Sequence, residues 1–275
     1  MKVGLLVDIT EDYKGKIRHA KSLGFDFGQL AMWDMSAYTD EFADELKRTL
    51  KEENFTPISL WCGWSGPVIW KYPEMYHSLG LVPDWLRAKR LDDLKRGAWF
   101  ARKLGVQNIA SHTGFVPDDP RDPRHIAIVH ALTDLCTELK TYGQTFGFET
   151  GEELPLTLNM MIHEIGLDNV GVNFDPANLI NHGRGNPNDA MDLLGSRIFG
   201  MHAKDAVPAN FGEFKGREVA IGTGKVDFQR LIRQLKQYGY DGDIVIERET
   251  KPGPERDNDI IQSRKFLENI ISEVY

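Results

Sequence analysis

Four short segments in the second half of the chain each run from an apolar stretch into one side chain able to hold a metal: Glu149 in FGFET, Asp175 in VGVNFDP, His202 in RIFGMHAKD and Glu247 in DIVIERE. Three carboxylates and an imidazole suit a divalent cation that takes oxygen donors in roughly octahedral geometry, and Mn²⁺ accepts an imidazole as well. Such a set leaves coordination positions for neighbouring oxygens of a sugar. Taken singly, each residue has an ordinary alternative: an acidic residue after a strand often caps the next helix, and Asp175 before Pro176 suits a turn or cap. Gathered on one barrel face, the carboxylates would repel one another and suffer desolvation without a cation. The set therefore reads as one metal site.

A β-strand that stops at such a residue delivers it to the strand's C-terminal end, where parallel α/β barrels gather their chemistry. Strand-like runs alternate with amphipathic helical stretches along the whole chain, the signature of a parallel sheet with crossover helices. Eight pairs can be counted, with strands over 3–8, 27–32, 56–61, 108–113, 145–150, 170–175, 197–202 and 243–248. Helical spacing of apolar residues marks 92–105, through Leu94, Ala98, Phe100, Ala101 and Leu104, and 226–240, through Phe228, Leu231, Ile232 and Leu235. Gly24, Gly105, Gly166 and Gly239 stand where helix ends favour a left-handed residue. The fold class is α/β, a (β/α)₈ TIM barrel, expected as a single domain over 1–275, close to the ~250 residues such a barrel needs. Two long connections, 62–87 after the third strand and 203–225 after the seventh, would lie on the catalytic face as lids or pocket walls.

Hydrophobic and charged fractions of 41% and 27% are ordinary, so a core can form without a staple and folding should not need the metal. The net charge of −8 argues against an electrostatic grip on nucleic acid. Cys62 and Cys136 make neither a disulfide framework nor a zinc ribbon, which fits a reducing cytoplasm. The opening MKVGLLVDITEDYKG reads as a first strand and not a signal peptide, and no run approaches the ~20 apolar residues of a membrane span. A cytoplasmic protein without membrane or nucleic-acid partners is expected.

Over essentially the whole chain, most specifically through FET, NFDPANL, GMHAKD, GTGKVDF and GYDGDIVIERE between Thr145 and Glu249, the sequence resembles the xylose isomerase-like TIM-barrel superfamily. That superfamily holds sugar isomerases and epimerases, the ketose 3-epimerases among them, and also the apurinic endonucleases. In the ketose 3-epimerases a Glu, an Asp, a His and a Glu at the ends of the fifth to eighth strands hold the metal, and the two glutamates move protons. The resemblance implies Glu149, Asp175, His202 and Glu247 as ligands of one divalent ion, Mn²⁺ foremost, with Mg²⁺, Co²⁺ or Zn²⁺ as alternatives. It implies Glu149 and Glu247 as the catalytic pair. The activity implied is isomerisation or epimerisation of a keto or polyol-derived sugar, by proton abstraction next to a carbonyl through a metal-stabilised enediolate. A lyase on 3-keto sugars, which shares the first step, and a non-catalytic sugar-binding barrel are the alternatives. The endonuclease branch is disfavoured because its three-zinc cluster lacks histidines here: the third strand ends in Trp61-Cys62, Asn178 stands three beyond Asp175, and no Asp-x-His follows His202. Members often self-associate, so a homodimer or tetramer is expected.

The remaining candidates line the pocket. Trp33 and Trp61 end strands, where an indole can stack on the C–H face of a sugar and donate a hydrogen bond, or simply pack a loop. Trp64, Trp70 and Trp85 fall in the first long connection, and Trp99 sits on a helix. His112, ending the fourth strand, can bind a hydroxyl, assist proton transfer or brace Glu149. Asn178 replaces a substrate-binding His of several ketose 3-epimerases and is a candidate substrate contact. Lys204 can bind substrate oxygens and Asp205 can orient His202 from behind, or the two can form a surface ion pair. Gly222-Thr223-Gly224 before a helix can offer backbone N–H groups to a phosphate or merely turn the chain, and Lys215 and Arg217 can supply charge nearby or stay solvated; the Trp-rich loop favours an unphosphorylated sugar.

Overall fold

The computed structural model describes residues 1–275. Eleven strands form: β1 (Val3–Leu5), β2 (Val7–Asp8), β3 (Phe27–Met32), β4 (Thr56–Cys62), β5 (Asn108–Ser111), β6 (Thr145–Glu149), β7 (Val170–Phe174), β8 (Ile198–Ala203), β9 (Asp205–Val207), β10 (Arg217–Val219) and β11 (Ile244–Ile246). Nine of them make one sheet in the order β1-β11-β8-β7-β6-β5-β4-β3-β2. All its pairings are parallel. β1 and β2 are halves of one strand broken at Leu6, so the two ends of the order meet and the sheet closes as the expected barrel. Helices fill the crossovers, and the helix Pro254–Val274 ends the chain against β1 and β11.

Strand parity decides which side chains do chemistry. Successive residues of a strand point to opposite faces. Leu30, Leu60, Ile109, Phe146, Phe148, Val170, Val172, Phe174, Met201, Ile244 and Ile246 share one parity and lie in the main apolar cluster between barrel and helices. Truncating one of them, such as the fully buried Phe148, to Ala would cost ~3–5 kcal/mol. The other parity points inward and carries Gln29, Ser59, Asn173 and His202 around the barrel interior, with Ala31, Trp61 and Ala110 in a second, smaller apolar cluster towards the top. Trp33, His112, Glu149, Asp175, Lys204 and Glu247 continue that inward parity at or just beyond the strand ends.

Several boundaries differ from expectation. The fourth, sixth and eighth barrel strands stop at Ser111, Phe174 and Ile246, so His112, Asp175 and Glu247 begin the loops, where the backbone is free to turn each side chain over the barrel mouth. The helix foreseen over 92–105 starts earlier, at Asp84, which moves Trp85 out of the connection and onto the exposed side of that helix. The 203–225 connection contains an antiparallel ribbon, β9 against β10, pairing Asp205 with Val219 and Val207 with Arg217. The 62–87 connection is a wall held from below: the buried Arg90 guanidinium donates to the carbonyls of Ser65, Pro67, Ser78 and Gly80 at 2.6–3.0 Å. Gly105 and Gly166 cap their helices at φ 82° and 67°, as the sequence requires.

Candidate metal centre and pocket

The barrel brings together ligand atoms of Glu149, Asp175, His202 and Glu247, all within 4.8 Å of one another. Register explains the convergence: Phe174 pairs with Met201, setting Asp175 beside His202, and Val245 pairs with His202, setting Glu247 one layer higher. His202 Nδ1 lies 3.3 Å from Glu149 Oε1, 3.2 Å from Glu247 Oε2 and 3.8 Å from Asp175 Oδ2. Asp175 makes the helix cap foreseen for it and also turns an oxygen into the cluster. Its Oδ1 caps the following helix by accepting from Asn178 N at 2.9 Å, while Oδ2 faces the other three groups. His202 Nδ1 and Asp175 Oδ2 are buried atoms with no hydrogen-bond partner, a state that is costly unless an ion completes it. The residues present therefore fit a divalent cation. Burial alone would lower the His202 pKa, yet the charges of Glu149 and Glu247 hold it well above the ordinary value, the same demand for positive charge at this point.

His202 is oriented from beneath by a residue that sequence reasoning missed. Its Nε2 donates to Gln29 Oε1 at 2.7 Å, and Gln29 Nε2 in turn donates to Ser59 Oγ at 2.9 Å; Asn173 Nδ2 lies 3.1 Å from the same ring nitrogen. With that hydrogen committed to Gln29, the neutral ring would turn its Nδ1 lone pair to a cation held among the carboxylates. The role expected of Asp205 is thus corrected. Asp205 belongs to the opposite parity and turns away from His202, accepting from the backbone N–H of Ala206, Gly222, Gly224 and Val226 at 2.8–3.0 Å. A Cβ on Gly224 would lie 2.1 Å from Asp205 Oδ1, so the glycine is required by this approach. A polar Gln at inward parity in the otherwise apolar FGQLAM was the available signal for Gln29.

Around Glu149 the sequence hid a second layer of charge. Trp61 Nε1 donates to Glu149 Oε2, Asn178 Nδ2 stands 3.4 Å from Oε1, and His112 Nε2 lies 3.6 Å from Oε1. The other His112 nitrogen meets the fully buried Glu152 at 2.8 Å, and Glu152 Oε1 is 3.9 Å from His182 Nδ1. Burial would lower the His112 pKa, but Glu152 and then Glu149 outweigh it and push it up to about 10. Glu152 goes the other way: burial raises it, and His112 more than offsets this to leave it below its usual value. Burial pulls His182 down to about 4. Glu153, with Thr113 as its hydrogen-bond partner, is pushed up to about 8 by burial and by the charge of Glu152.

A cavity of about 570 Å³ opens above the centre, walled by Trp33, Trp61 and Trp70 on one side and by Asn178, His182 and Lys204 on the other. Lys204 is 2% exposed and lies 3.1 Å from Glu247 Oε2, 3.7 Å from Asp175 Oδ2 and 3.4 Å from Asn178 Oδ1, with Glu249 as a further partner. The surface-pair alternative for Lys204 is thereby replaced by a buried position in the pocket. Arg217 is not brought in: it lies exposed on β10, where the ribbon turns it from the cavity, and Lys215 lines the wall instead. Trp64 packs beneath the wall with Arg90 over its ring, and Trp70 joins Trp33 and Trp61 at the cavity.

Residues 17–270 match the family described as xylose isomerase-like TIM barrel. The chain is 24% identical over 265 residues to the L-ribulose-5-phosphate 3-epimerase of Shigella boydii, covering 92% of this chain and 87% of that enzyme. It superposes on a xylose isomerase domain protein from Planctomyces limnophilus with a TM-score of 0.92 and 29% identity, over 99% and 98% of the two chains. A 3-keto-D-glucoside 4-epimerase of E. coli shares the fold with a TM-score of 0.69 at 17% identity, over 98% and 99%. No helix is long and apolar enough to cross a membrane.

Proposed function

The chain belongs to the xylose isomerase-like TIM-barrel family, and from that membership we propose that it is a divalent-metal-dependent isomerase or epimerase of a keto sugar. The observation that carries the proposal is the convergence of four buried or nearly buried donors with two atoms, His202 Nδ1 and Asp175 Oδ2, that nothing in the protein satisfies. Glu149, Asp175, His202 and Glu247 would hold the ion; an oxygen-rich set with one imidazole favours Mn²⁺. A bound divalent cation supplies Lewis acidity to a carbonyl and its neighbouring hydroxyl, and so acidifies the adjoining C–H.

The chain's own residues do the rest. Glu149 and Glu247 are the proton-transfer pair: one removes the proton on carbon, giving an enediolate, and the other returns one. Return to the opposite face of the same carbon inverts it; return to the neighbouring carbon exchanges aldose and ketose. Trp61 fixes Glu149 through its indole N–H, and Lys204 keeps Glu247 ionised by proximity. Lys204, Asn178 and His112 present hydrogen-bonding groups to sugar oxygens, and Trp33 and Trp61 offer ring faces to its C–H groups. The names of the related barrels point to keto sugars of two kinds, a ketose phosphate and a keto-glucoside.

The test is deuterium incorporation from D₂O into a panel of keto sugars by the Mn²⁺-loaded protein, followed by NMR. Exchange with a new stereoisomer or a shifted carbonyl supports the proposal, and exchange with release of an aglycone replaces it with the lyase. Absence of exchange for every bound sugar overturns it in favour of a binding protein. Glu149→Gln and Glu247→Gln each abolish exchange in a folded barrel; full activity of either removes that residue from proton transfer.

A further inference from the structure

The pocket distinguishes between the two kinds of keto sugar. Barrels that bind phosphorylated ligands commonly hold the phosphate between the loops after the seventh and eighth strands, on backbone N–H groups. Here those loops follow β8 and β11, and the N–H groups that would serve are those of Gly222, Gly224 and Val226. All three are already taken by the Asp205 carboxylate, which sits as the chain's own anion in the cradle. A phosphate would have to expel a 1% exposed carboxylate and would then face its charge. The next cation at the mouth, Arg248, is also committed: its guanidinium bonds Glu218 and Asp259, each at 2.8 Å. Two further cations line the rim: Lys215, 5.8 Å from the Trp70 ring centroid and sharing that rim with Asp8 and Glu249, and Arg256, whose Nε donates to the Arg248 carbonyl at 2.8 Å.

Across the cavity the wall is apolar. Trp33 lines it yet remains 41% exposed, its ring propped by Trp61 at 4.7 Å and Trp64 at 5.2 Å between centroids. A large ring held rigid by two others, with a free face turned into a cavity, is a stacking platform without its partner. Leu6, Val68 and Trp70 extend the same surface. At about 570 Å³ the cavity lies within the ~300–1,000 Å³ range of sites that enclose drug-sized ligands, which gives room for a second ring beside the one over the four donors.

We propose that the ligand of this site is an uncharged keto sugar carrying a second ring, a keto-glycoside, and not a sugar phosphate: the keto ring lies over the four donors and the second ring on Trp33. This rests on the reading of the centre as a keto-sugar site, but its test uses binding and not turnover.

Titration of the Mn²⁺-loaded protein, followed by tryptophan fluorescence and calorimetry, compares methyl, phenyl and glucosyl 3-keto-glucosides with L-ribulose, L-ribulose 5-phosphate and inorganic phosphate. The phenyl or glucosyl compound binds about tenfold more tightly than the methyl one, the equivalent of one aromatic stacking contact. Trp33→Ala shrinks that advantage to below about threefold, and Trp33→Tyr restores part of it. L-Ribulose 5-phosphate binds no better than L-ribulose, and inorganic phosphate competes with neither. An advantage of about tenfold for the 5-phosphate, lost in Lys215→Ala or Arg256→Ala, overturns the proposal, as does no gain from a second ring or no binding of any of these sugars. Preference for the second ring without deuterium exchange would defeat the enzyme reading and leave the ligand class standing; exchange without that preference does the reverse.

Discussion

Glu153 offers a test of the charge layer behind the centre that requires no substrate. It is 2% exposed and bonded to Thr113, with its Oε2 unpartnered and Glu152 as its neighbour. Burial and the Glu152 charge push it from an ordinary 4.5 up to about 8, while Thr113, its own backbone and the nearby His112 pull the other way without prevailing. The folded chain therefore holds a proton here that the unfolded chain releases above about 4.5. Stability from this group is fully present below that value and is lost as pH rises through about 8. At ~1.4 kcal/mol per pH unit, the gap is worth up to about 5 kcal/mol. Glu153→Gln keeps the shape and a polar contact to Thr113 but cannot ionise. At pH 5 its thermal midpoint matches the parent protein. At pH 8.5 and above it is the more stable form, by roughly 10 °C or more at ~2–4 °C per kcal/mol. Differential scanning calorimetry of both proteins across pH 5–9 reads this directly. A constant difference between the two at every pH would refute the assignment of a buried neutral carboxyl to Glu153.

Two further predictions probe the supports of the site. Gln29→Leu removes the acceptor for His202 Nε2–H, so the ring is free to turn and Mn²⁺ affinity by calorimetry falls ~10–100-fold; undiminished affinity would mean that Gln29 does not orient the ligand. Asp205→Ala strands the N–H groups of Ala206, Gly222, Gly224 and Val226 and costs ~2–4 kcal/mol in urea unfolding. Added formate restores part of that loss by refilling the cradle, and an unaffected urea midpoint would show the carboxylate to be dispensable there.

Much was legible because strand periodicity is local. The run FGFET alternates outward Phe146 and Phe148 with inward Gly147 and Glu149, and VGVNFDP does the same for Asn173 and Asp175, so each member of the cluster could be picked out at the end of its own strand. The terminal glycines of the helices, at positive φ, were equally readable. The loops were less so. Asp205, close to His202 in the sequence, looks like its orienting partner, but adjacent residues of a strand face opposite sides, and this one caps a glycine turn nearly twenty residues on. Arg217 looked like pocket charge until a ribbon turned it outward, and Arg90 gave no sign of holding four carbonyls.

The amino-acid order by itself determined the barrel, the inward parity and the four candidate donors, because hydrophobic alternation and residue chemistry act over a few neighbours. Only the closed tertiary structure decided that Gln29, from the far side of the barrel, aims His202, and that Glu152 and Glu153 lie buried behind Glu149. It alone showed that the Asp205 carboxylate takes up the N–H groups of Gly222, Gly224 and Val226. These depend on strand register and loop path, which bring together groups as distant as residues 29 and 202 and which no local pattern encodes.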